Sequence, residues 1–356
     1  MADSNPDLPL FRRAPSLAST VPRLPLGTFP TPVAPFEIET GSGPLRLLVK
    51  RDDIGAEGYA GNKVRKLEFL LADARARGAT RLITAGAAGS HHAFATAYHG
   101  GRAGFDVSLV LFPQHVTSHV REMLFLDAAA GAELVWASRM ETVPYGVWRA
   151  RVAHRREVTC TIPPGGSNPI GTFGYVNGAL ELVEQIGSGQ VEKPSSIHVA
   201  AGTLGTAAGI AIGLAWAGLP IPVIATRITV RLLTNERALA ALIRSTLAQL
   251  RDAGAHDLPD AAEAAGLVEL RHDQIGAGYG RPTEAGARAA ERFAAAGLRL
   301  DATYTAKAAA GLLAQAGGSG LPLFWHTLSA VEPAELLRRA SPDLPAPFSR
   351  YLAGAA

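Results

Sequence analysis

Between residues 81 and 136, short apolar runs alternate with helical patterns, and this alternation most limits the folds open to the chain. Residues 81–86, 105–112 and 132–136 are runs that predict buried strands, with helices between them. Strands separated by helices and short loops predict a parallel sheet covered by helices, an α/β fold. A helix is predicted just before this stretch, at 65–78. The alternation returns later, with strands predicted at 195–200, 222–229, 267–270 and 321–326 and helices at 234–252, 283–297 and 307–315.

The composition indicates a globular chain with a large core. It has 356 residues, of which 47% are hydrophobic and 18% charged, enough for one large or two medium domains. The net charge of +3 is small and no basic stripe is present, which argues against nucleic-acid binding. Cys160 is the one cysteine, so no intrachain disulfide can form. This suits a reducing cytosol, and since the first residues lack a signal-peptide pattern we expect a cytoplasmic protein.

Residues 194–226 contain no Asp, Glu, Lys or Arg and are long enough to cross a membrane. Glycines and prolines divide the stretch into pieces, however. A buried strand, a glycine loop, an apolar helix and a second buried strand explain it better. We therefore expect no membrane partner.

A lysine follows a glycine at a predicted junction between loop and helix. The run Gly61-Asn62-Lys63 comes after the apolar strand and charged turn of residues 47–53, and helical spacing begins at Arg65. A lysine there can reach into a cleft, and amides at the helix start can hold an anion. Spacing alone also allows a solvated lysine beside other basic residues.

A loop of small residues lies between a predicted strand and a predicted helix at residues 199–209. Its glycines let the backbone approach an anion closely, and amides and hydroxyls at the helix start can bind a phosphate. A tight turn without a ligand is the simpler alternative. The loop could also pass for a degenerate dinucleotide site, although it lacks the G-x-G-x-x-G spacing.

The histidines do not form a metal-binding pattern. His91 and His92 are adjacent and point to different sides of a helix or strand. His92 and His99 share a helix face but lie about 10 Å apart, too far to share one zinc ion. We therefore expect no metal site.

Several runs together resemble the deaminase and desulfhydrase branch of the tryptophan-synthase-β-like enzymes, which use pyridoxal phosphate (PLP). The nearest look-alikes are D-cysteine desulfhydrase and 1-aminocyclopropane-1-carboxylate (ACC) deaminase. The resemblance covers nearly the whole chain and implies PLP fold type II, with two domains, each a mainly parallel sheet covered by helices. The runs that carry it are residues 50–74, 90–92, 165–168, 174–176, 202–206, 276–282, 300–307 and 326–330.

The resemblance also implies roles for individual residues. Lys63 would carry the cofactor as a Schiff base and act as general base, with Asn62 beside it. Tyr279 and Tyr304 would face the substrate. Thr305 or Thr327 would meet the pyridine nitrogen. The phosphate would be bound by the loop residues Gly202, Thr203, Leu204, Gly205 and Thr206. The substrate carboxylate and the cofactor would be contacted by Ser90 and His91.

Some positions differ from the family pattern. His91 replaces an asparagine, Leu204 a glycine, and Leu328 and Ser329 a glycine pair. Gly166 and Thr305 stand where ACC deaminases have Cys and Glu, which favours the desulfhydrase side. The resemblance thus implies a lyase acting on a small amino acid, D-cysteine desulfhydrase-like, that releases pyruvate, ammonia and sulfide. The alternatives are ACC ring opening, and a diverged PLP protein with β-replacement or little lyase activity.

The resemblance sets the expected organisation as well. Residues 65–164 are predicted to form the small domain, and residues 1–64 with 165–356 the large PLP-binding domain. The family implies a homodimer.

Overall fold

The computed structural model describes residues 7–41, 43–315, 320–330, 338 and 344–351. It divides into two compact units, one made of Met1–Phe69 with Ser167–Val331 and a smaller one made of Leu70–Gly166 with Glu332–Ala356. The sequence predicted a small domain over residues 65–164. The break in the structure falls a few residues later at each end, and the described residues 344–351 group with the smaller unit.

The larger unit contains a six-stranded sheet with the strand order β1-β2-β10-β7-β8-β9. β1 is antiparallel to β2, and the other pairs are parallel, with Leu323 of β10 beside Leu48 of β2. The strands of this sheet are β1 (Val33–Thr40), β2 (Gly43–Arg51), β7 (Ser196–Ala201), β8 (Val223–Arg227), β9 (Val268–Arg271) and β10 (Pro322–His326).

The smaller unit contains a four-stranded, wholly parallel sheet with the order β5-β4-β3-β6. Its core packs Ile83 and Val110 of the sheet against Ala150 of the helix Val143–Ala153. Its strands are β3 (Arg81–Ala87), β4 (Asp106–Phe112), β5 (Glu133–Trp136) and β6 (Thr159–Thr161). Both sheets therefore bear out the predicted α/β class.

Helices cover the sheets, and the four whose bounds were predicted begin and end within three residues of the prediction. In the described part of the chain they are α1 (Pro9–Arg13), α2 (Leu17–Thr20), α3 (Asn62–Ala76), α4 (His91–Arg102), α5 (Ser118–Ala129), α6 (Val143–Ala153), α7 (Pro169–Gly187), α8 (Gly205–Trp216), α9 (Glu236–Asp252), α10 (Ala261–Gly266), α11 (Glu284–Ala295) and α12 (Thr305–Leu313).

The charge-free stretch at 194–226 folds as predicted. It forms β7, a short loop, the wholly buried helix α8 and β8. Gly209 and Gly213 allow α8 to approach α7 closely, because a Cβ at either would meet an α7 backbone oxygen within 2.8 Å. Within the described residues, no helix combines the length and apolarity needed to cross a membrane.

The start of the chain packs onto the larger unit. Its described residues, from 7 onward, form the short helices α1 and α2. Leu10, Phe11 and Leu17 are buried in the main core of the larger unit. The Leu10 amide also donates to Asn177 Oδ1 of α7 at 3.0 Å. These helices are too short to be seen from periodicity, and tertiary packing stabilises them.

Candidate active site

Lys63 lies in the first turn of α3. This helix begins at Asn62, three residues before the start that helical spacing predicted. Gly61 precedes it with φ of +90°, a left-handed conformation that favours glycine. A Cβ at Gly61 would lie 2.7 Å from the Thr327 carbonyl oxygen, and the Asn62 amide donates to that oxygen at 3.2 Å. The start of α3 is therefore fixed against the loop that follows β10.

The Lys63 amine is poised to lose its proton near neutral pH. Its Nζ donates to Asn62 Oδ1 at 2.9 Å. Burial lowers the pKa of Lys63 to about 8, and the charge of Asp301 opposes that shift. A lysine of ordinary pKa near 10.4 is almost wholly protonated at pH 7–8. Lys63 has a substantial neutral fraction there, which both a nucleophile and a general base require.

The loop after β7 has the shape of an anion cradle. Leu204 adopts φ of +67°, so this leucine takes the left-handed conformation usual for glycine. A Cβ at Gly205 would lie 2.6 Å from Ser167 Oγ and 2.9 Å from Lys66 Nζ, so only glycine leaves this space open. Ser167 Oγ and Thr203 Oγ1 lie 2.7 Å apart at the start of α8. Helix-start amides and hydroxyls together suit a phosphate.

Asn62 connects the lysine to this cradle. Its Oδ1 accepts from Lys63, and its Nδ2 donates to Thr206 Oγ1 in the first turn of α8 at 3.3 Å. One short side chain thus links the amine to the phosphate-type loop. Both predicted groups of residues, Lys63 with Asn62 and Gly202 to Thr206, therefore lie together in the larger unit.

Lys66 is a residue of this site that the sequence analysis missed. It is 2% exposed, and its Nζ donates to Ser167 Oγ at 3.1 Å. Burial and the neighbouring Lys63 hold the pKa of Lys66 well below its usual range. A phosphate bound at the cradle would restore its positive charge, so the donors present fit the phosphate of PLP. The signal available was its position one helical turn after Lys63.

Replacing Lys66 with methionine tests that fit. We expect Lys66→Met to weaken PLP binding by about 10- to 100-fold, because a hydrogen bond from a charged group contributes about 1.5–3 kcal/mol. Titration of the cofactor-free protein with PLP, followed by absorbance, measures the dissociation constant. The control is Lys193→Met, which removes an exposed lysine. Equal PLP affinity in both variants would show that Lys66 does not bind the phosphate.

Two half-buried tyrosines adjoin this region. The hydroxyl groups of Tyr279 and Tyr304 lie 2.6 Å apart, with the rings edge to face. Burial raises the pKa of Tyr279, and burial together with Tyr279 raises the pKa of Tyr304 well above its usual range. Both therefore stay protonated at neutral pH and can donate. The Tyr304 ring also borders the cradle, since its Cε1 lies 3.5 Å from a Cβ built on Gly202.

The two candidate threonines lie on different elements of the same unit. Thr305 begins α12 and is 1% exposed, and its Oγ1 donates to Asp301 Oδ1 at 2.7 Å. Thr327 follows β10 and holds the start of α3 through its carbonyl group. Asp301 is a second residue that sequence reasoning missed, because its role depends on contacts made after the chain has folded.

Ser90 and His91 belong to the smaller unit, at the start of α4. Ser90 caps the helix, accepting from the Ala93 amide at 3.2 Å. The His91 ring packs on His119 with 4.8 Å between ring centroids. His92 instead meets Thr84 Oγ1 at 3.0 Å, a structural contact. The roles of Ser90 and His91 toward substrate and cofactor stay predictions.

Comparison with known proteins identifies the class that this lysine and cradle define. A family model described as pyridoxal-phosphate dependent enzyme matches residues 24–321. The chain belongs to this family of PLP-dependent enzymes, and its fold is the predicted fold type II. Its cofactor is PLP, as the resemblance implied. Among the side chains that the structure describes, no cluster of three or more His, Cys, Asp or Glu is placed to hold a metal ion.

The similar proteins differ in the reactions that their names describe. Nocardicin C-9′ epimerase of Nocardia uniformis subsp. tsuyamanensis is 39% identical over 91% of this chain and 98% of that protein. D-cysteine desulfhydrase of Salmonella paratyphi B is 33% identical over 86% of this chain and 93% of that protein. The solved structure of an ACC deaminase homologue has a TM-score of 0.71 at 29% identity, covering 93% of this chain and 99% of that chain.

Proposed function

We propose that this enzyme removes the α-proton of a small amino acid, with Lys63 as both the attachment point of PLP and the general base. The observation that carries the proposal is the Lys63 amine, whose pKa is about 8, held by Asn62 beside a cradle for phosphate. PLP supplies the electron sink that makes the α-carbon acidic. The chain supplies the amine, the phosphate contacts and neutral phenol donors.

The other site residues have distinct tasks in this proposal. Lys66 and the loop from Gly202 to Thr206 bind the phosphate and fix its distance from Lys63. Tyr279 and Tyr304 face the substrate as uncharged donors. Ser90 and His91 bind the substrate carboxylate and the cofactor, where the larger, titratable His91 in place of asparagine alters substrate preference.

Epimerisation is the fate of the substrate that we favour. Lys63 keeps the proton it removes, which exchanges with solvent, and a different proton is delivered to the opposite face of the α-carbon, so no bond to the side chain breaks. The support is the similarity to an epimerase over 98% of that protein's length. The differences from the desulfhydrase pattern at His91, Leu204, Leu328 and Ser329 argue against a desulfhydrase reaction, without selecting the alternative.

Elimination from D-cysteine is the second candidate, supported by the D-cysteine desulfhydrase relatives and by Gly166 and Thr305. There the α-proton and the β-thiol leave, and water completes the reaction to pyruvate, ammonia and hydrogen sulfide. Ring opening of ACC is less well supported, because Cys and Glu are the residues expected at those two positions.

Reaction in D₂O distinguishes these fates in one experiment. We expect incubation with D- or L-cysteine, D-serine and other small amino acids to introduce deuterium at the α-carbon of at least one substrate. Mass spectrometry measures the deuterium, chiral chromatography the configuration, and a coupled assay the pyruvate. Inverted, deuterated amino acid without pyruvate supports epimerisation, and stoichiometric pyruvate and sulfide support elimination.

A matched control is the same protein reduced with borohydride, which fixes PLP on its lysine. Exchange should stop after reduction, and peptide mapping should find the pyridoxyl group on Lys63. PLP on another lysine, or no α-exchange with any substrate tested, would contradict the proposed function.

We further propose a cytoplasmic homodimer. The single cysteine, Cys160, is consistent with a reducing compartment. On α6, Tyr145 and Trp148 stack at 5.6 Å with 61% and 56% of their surfaces exposed, which is unusual for large aromatic residues that lack a partner surface.

A further inference from the structure

Two threonine hydroxyls hold the carbonyl oxygen of Gly202, the first residue of the cradle. Thr229 Oγ1 donates to this oxygen at 3.0 Å, and Thr234 Oγ1 is also within hydrogen-bond distance of it. The two hydroxyl oxygens lie 2.6 Å apart. Both threonines lie in the loop between β8 and α9, so they are outside the cradle itself.

The hydroxyls can hold the Gly202 oxygen in more than one way. Each hydroxyl has a single proton, while a carbonyl oxygen has two lone pairs. Either both protons point to Gly202, or one hydroxyl donates to Gly202 and accepts the proton of the other. Loss of one hydroxyl therefore leaves the second able to hold the oxygen alone.

The turn that carries the two threonines is itself fixed. The Thr234 amide donates to the Val230 carbonyl oxygen at 3.2 Å. Arg227, the last residue of β8, donates from Nη1 to the Thr229 carbonyl oxygen at 2.5 Å. The sheet thus sets the place of both hydroxyls.

The direction of the Gly202 carbonyl group decides where the next amide points. The peptide between Gly202 and Thr203 is trans, so its C=O and N–H point to opposite sides. With the oxygen turned toward Thr229 and Thr234, the Thr203 amide points away from them. Within the described residues, this amide has no hydrogen-bond acceptor. It is therefore open to an anion at the cradle.

A glycine at position 202 makes this peptide easy to turn over. Turning changes mainly ψ of Gly202 and φ of Thr203, and glycine tolerates such changes because it lacks a Cβ. A turned peptide would present a carbonyl oxygen where the amide now points, and this oxygen would repel a phosphate. The two hydroxyls oppose the change, because it would take an acceptor from Thr234, which is 0% exposed.

On the basis of the proposed function, with PLP bound at Lys63 and the cradle, we propose that Thr229 and Thr234 are positioning residues for the cofactor. They keep the peptide after Gly202 in the orientation that offers its amide to the phosphate. Thr234 has the larger effect, since water cannot reach a wholly buried site to replace its hydroxyl, whereas Thr229 is half-buried.

Titration of the cofactor-free protein with PLP, followed by absorbance, tests this in three variants. We expect Thr234→Val to weaken PLP binding by about 2- to 10-fold, the range for one neutral hydrogen bond, and Thr229→Val to weaken it less. The double variant Thr229→Val/Thr234→Val should lose at least about 10-fold. Its loss should exceed the product of the single losses, because either hydroxyl can hold the oxygen alone.

Phosphorus-31 NMR of the holoenzyme adds a readout that a general loss of packing would not move. Amide donors favour the dianion of a phosphate, whose second pKa is ordinarily near 6. In the parent we expect the phosphate resonance to stay constant between about pH 5 and 8. In the double variant it should shift with pH across this range.

Two controls separate these hydroxyls from any other buried threonine. Thr246→Val removes a hydroxyl that is 0% exposed and donates to the Leu242 carbonyl oxygen within α9, so PLP affinity and the phosphate resonance should not change. Thr234→Ser keeps the hydroxyl and should match the parent. If the double variant does not fold, Thr234→Val against Thr234→Ser decides the question by both measurements.

Parental affinity in Thr234→Val and the double variant would overturn the inference. A loss of affinity without a change in the phosphate resonance would overturn it as well, because the hydroxyls would then act elsewhere. An equal loss in Thr246→Val would have the same meaning. Absence of a pyridoxyl group on Lys63 of the parent after borohydride reduction would instead overturn the proposed function.

Discussion

Lys63→Ala should abolish covalent attachment of PLP and reduce α-proton exchange to the background rate. The variant lacks the amine that binds the cofactor and the base that accepts the proton. General base catalysis alone contributes about 10²- to 10⁴-fold, so we expect a loss of at least about 10³-fold when both roles disappear together. Exchange in D₂O measures the rate, and mass spectrometry after borohydride reduction measures the attachment.

Lys193→Ala is the matched control for Lys63→Ala, because it removes an exposed lysine of the same unit. It should retain parental exchange and attachment. Added methylamine offers a second check, since a small amine can partly replace the missing base while the fold is unchanged. Exchange of the α-proton at the parental rate in Lys63→Ala would show that Lys63 is not the general base.

The parts of the site that could be predicted from the sequence are local. Lys63 follows a glycine at the start of α3, and the cradle joins β7 to α8, so both depend on a few neighbouring residues. Strand-to-helix junctions have recognisable glycines and spacing, which is why these predictions needed no tertiary information. The boundaries of β7 and β8 were likewise within a residue or two of the prediction.

The parts that could not be predicted depend on contacts across the chain. Lys66 becomes a site residue only because Ser167, distant in sequence, meets its amine. Asp301 caps the start of α12 through its contacts with the Tyr304 amide and the Thr305 hydroxyl, which form only when the chain folds. Helix α1 has five residues and is held by Asn177 of α7. Periodicity and spacing contain no information on such pairings, which arise when separate elements pack together.

A buried ionic network that includes Arg65, two residues after Lys63, also depends on contacts between residues distant in sequence. Asp52 accepts from Arg65 Nε and Nη2 at 3.0 and 2.8 Å, and also from Tyr175 and Trp325 at 2.7 Å each. Arg65 reaches on to Glu181 at 2.9 Å. The Asp52 and Arg65 side chains are each 1% exposed. Arg65 is two residues after Lys63, so the network anchors the first turn of α3 to α7 and β10.

Asp52→Ala should therefore lower the free energy of unfolding by about 3–5 kcal/mol, because it leaves the Arg65 charge buried beside fewer acceptors. The pKa of Asp52 is lowered by Arg65 despite its burial, so its stabilisation is fully present above the unfolded pKa near 4 and is lost as pH falls through the lower folded value. Urea unfolding at pH 7 thus measures the whole effect.

Two further variants help to interpret the change in unfolding free energy. One shows whether the missing charge or a cavity causes it, and the other is a control at the surface. Asp52→Asn keeps the volume, so a loss similar to that of Asp52→Ala would assign the effect to the missing charge rather than to a cavity. Arg288→Ala breaks an exposed pair with Glu284, whose side chains are 62% and 93% exposed, and should change stability by no more than about 0.5 kcal/mol. A similarly small change for Asp52→Ala would mean that α7 and β10 hold the start of α3 by packing alone. The close approach at Gly174 is one such packing contact, because a Cβ there would clash with the Arg65 backbone.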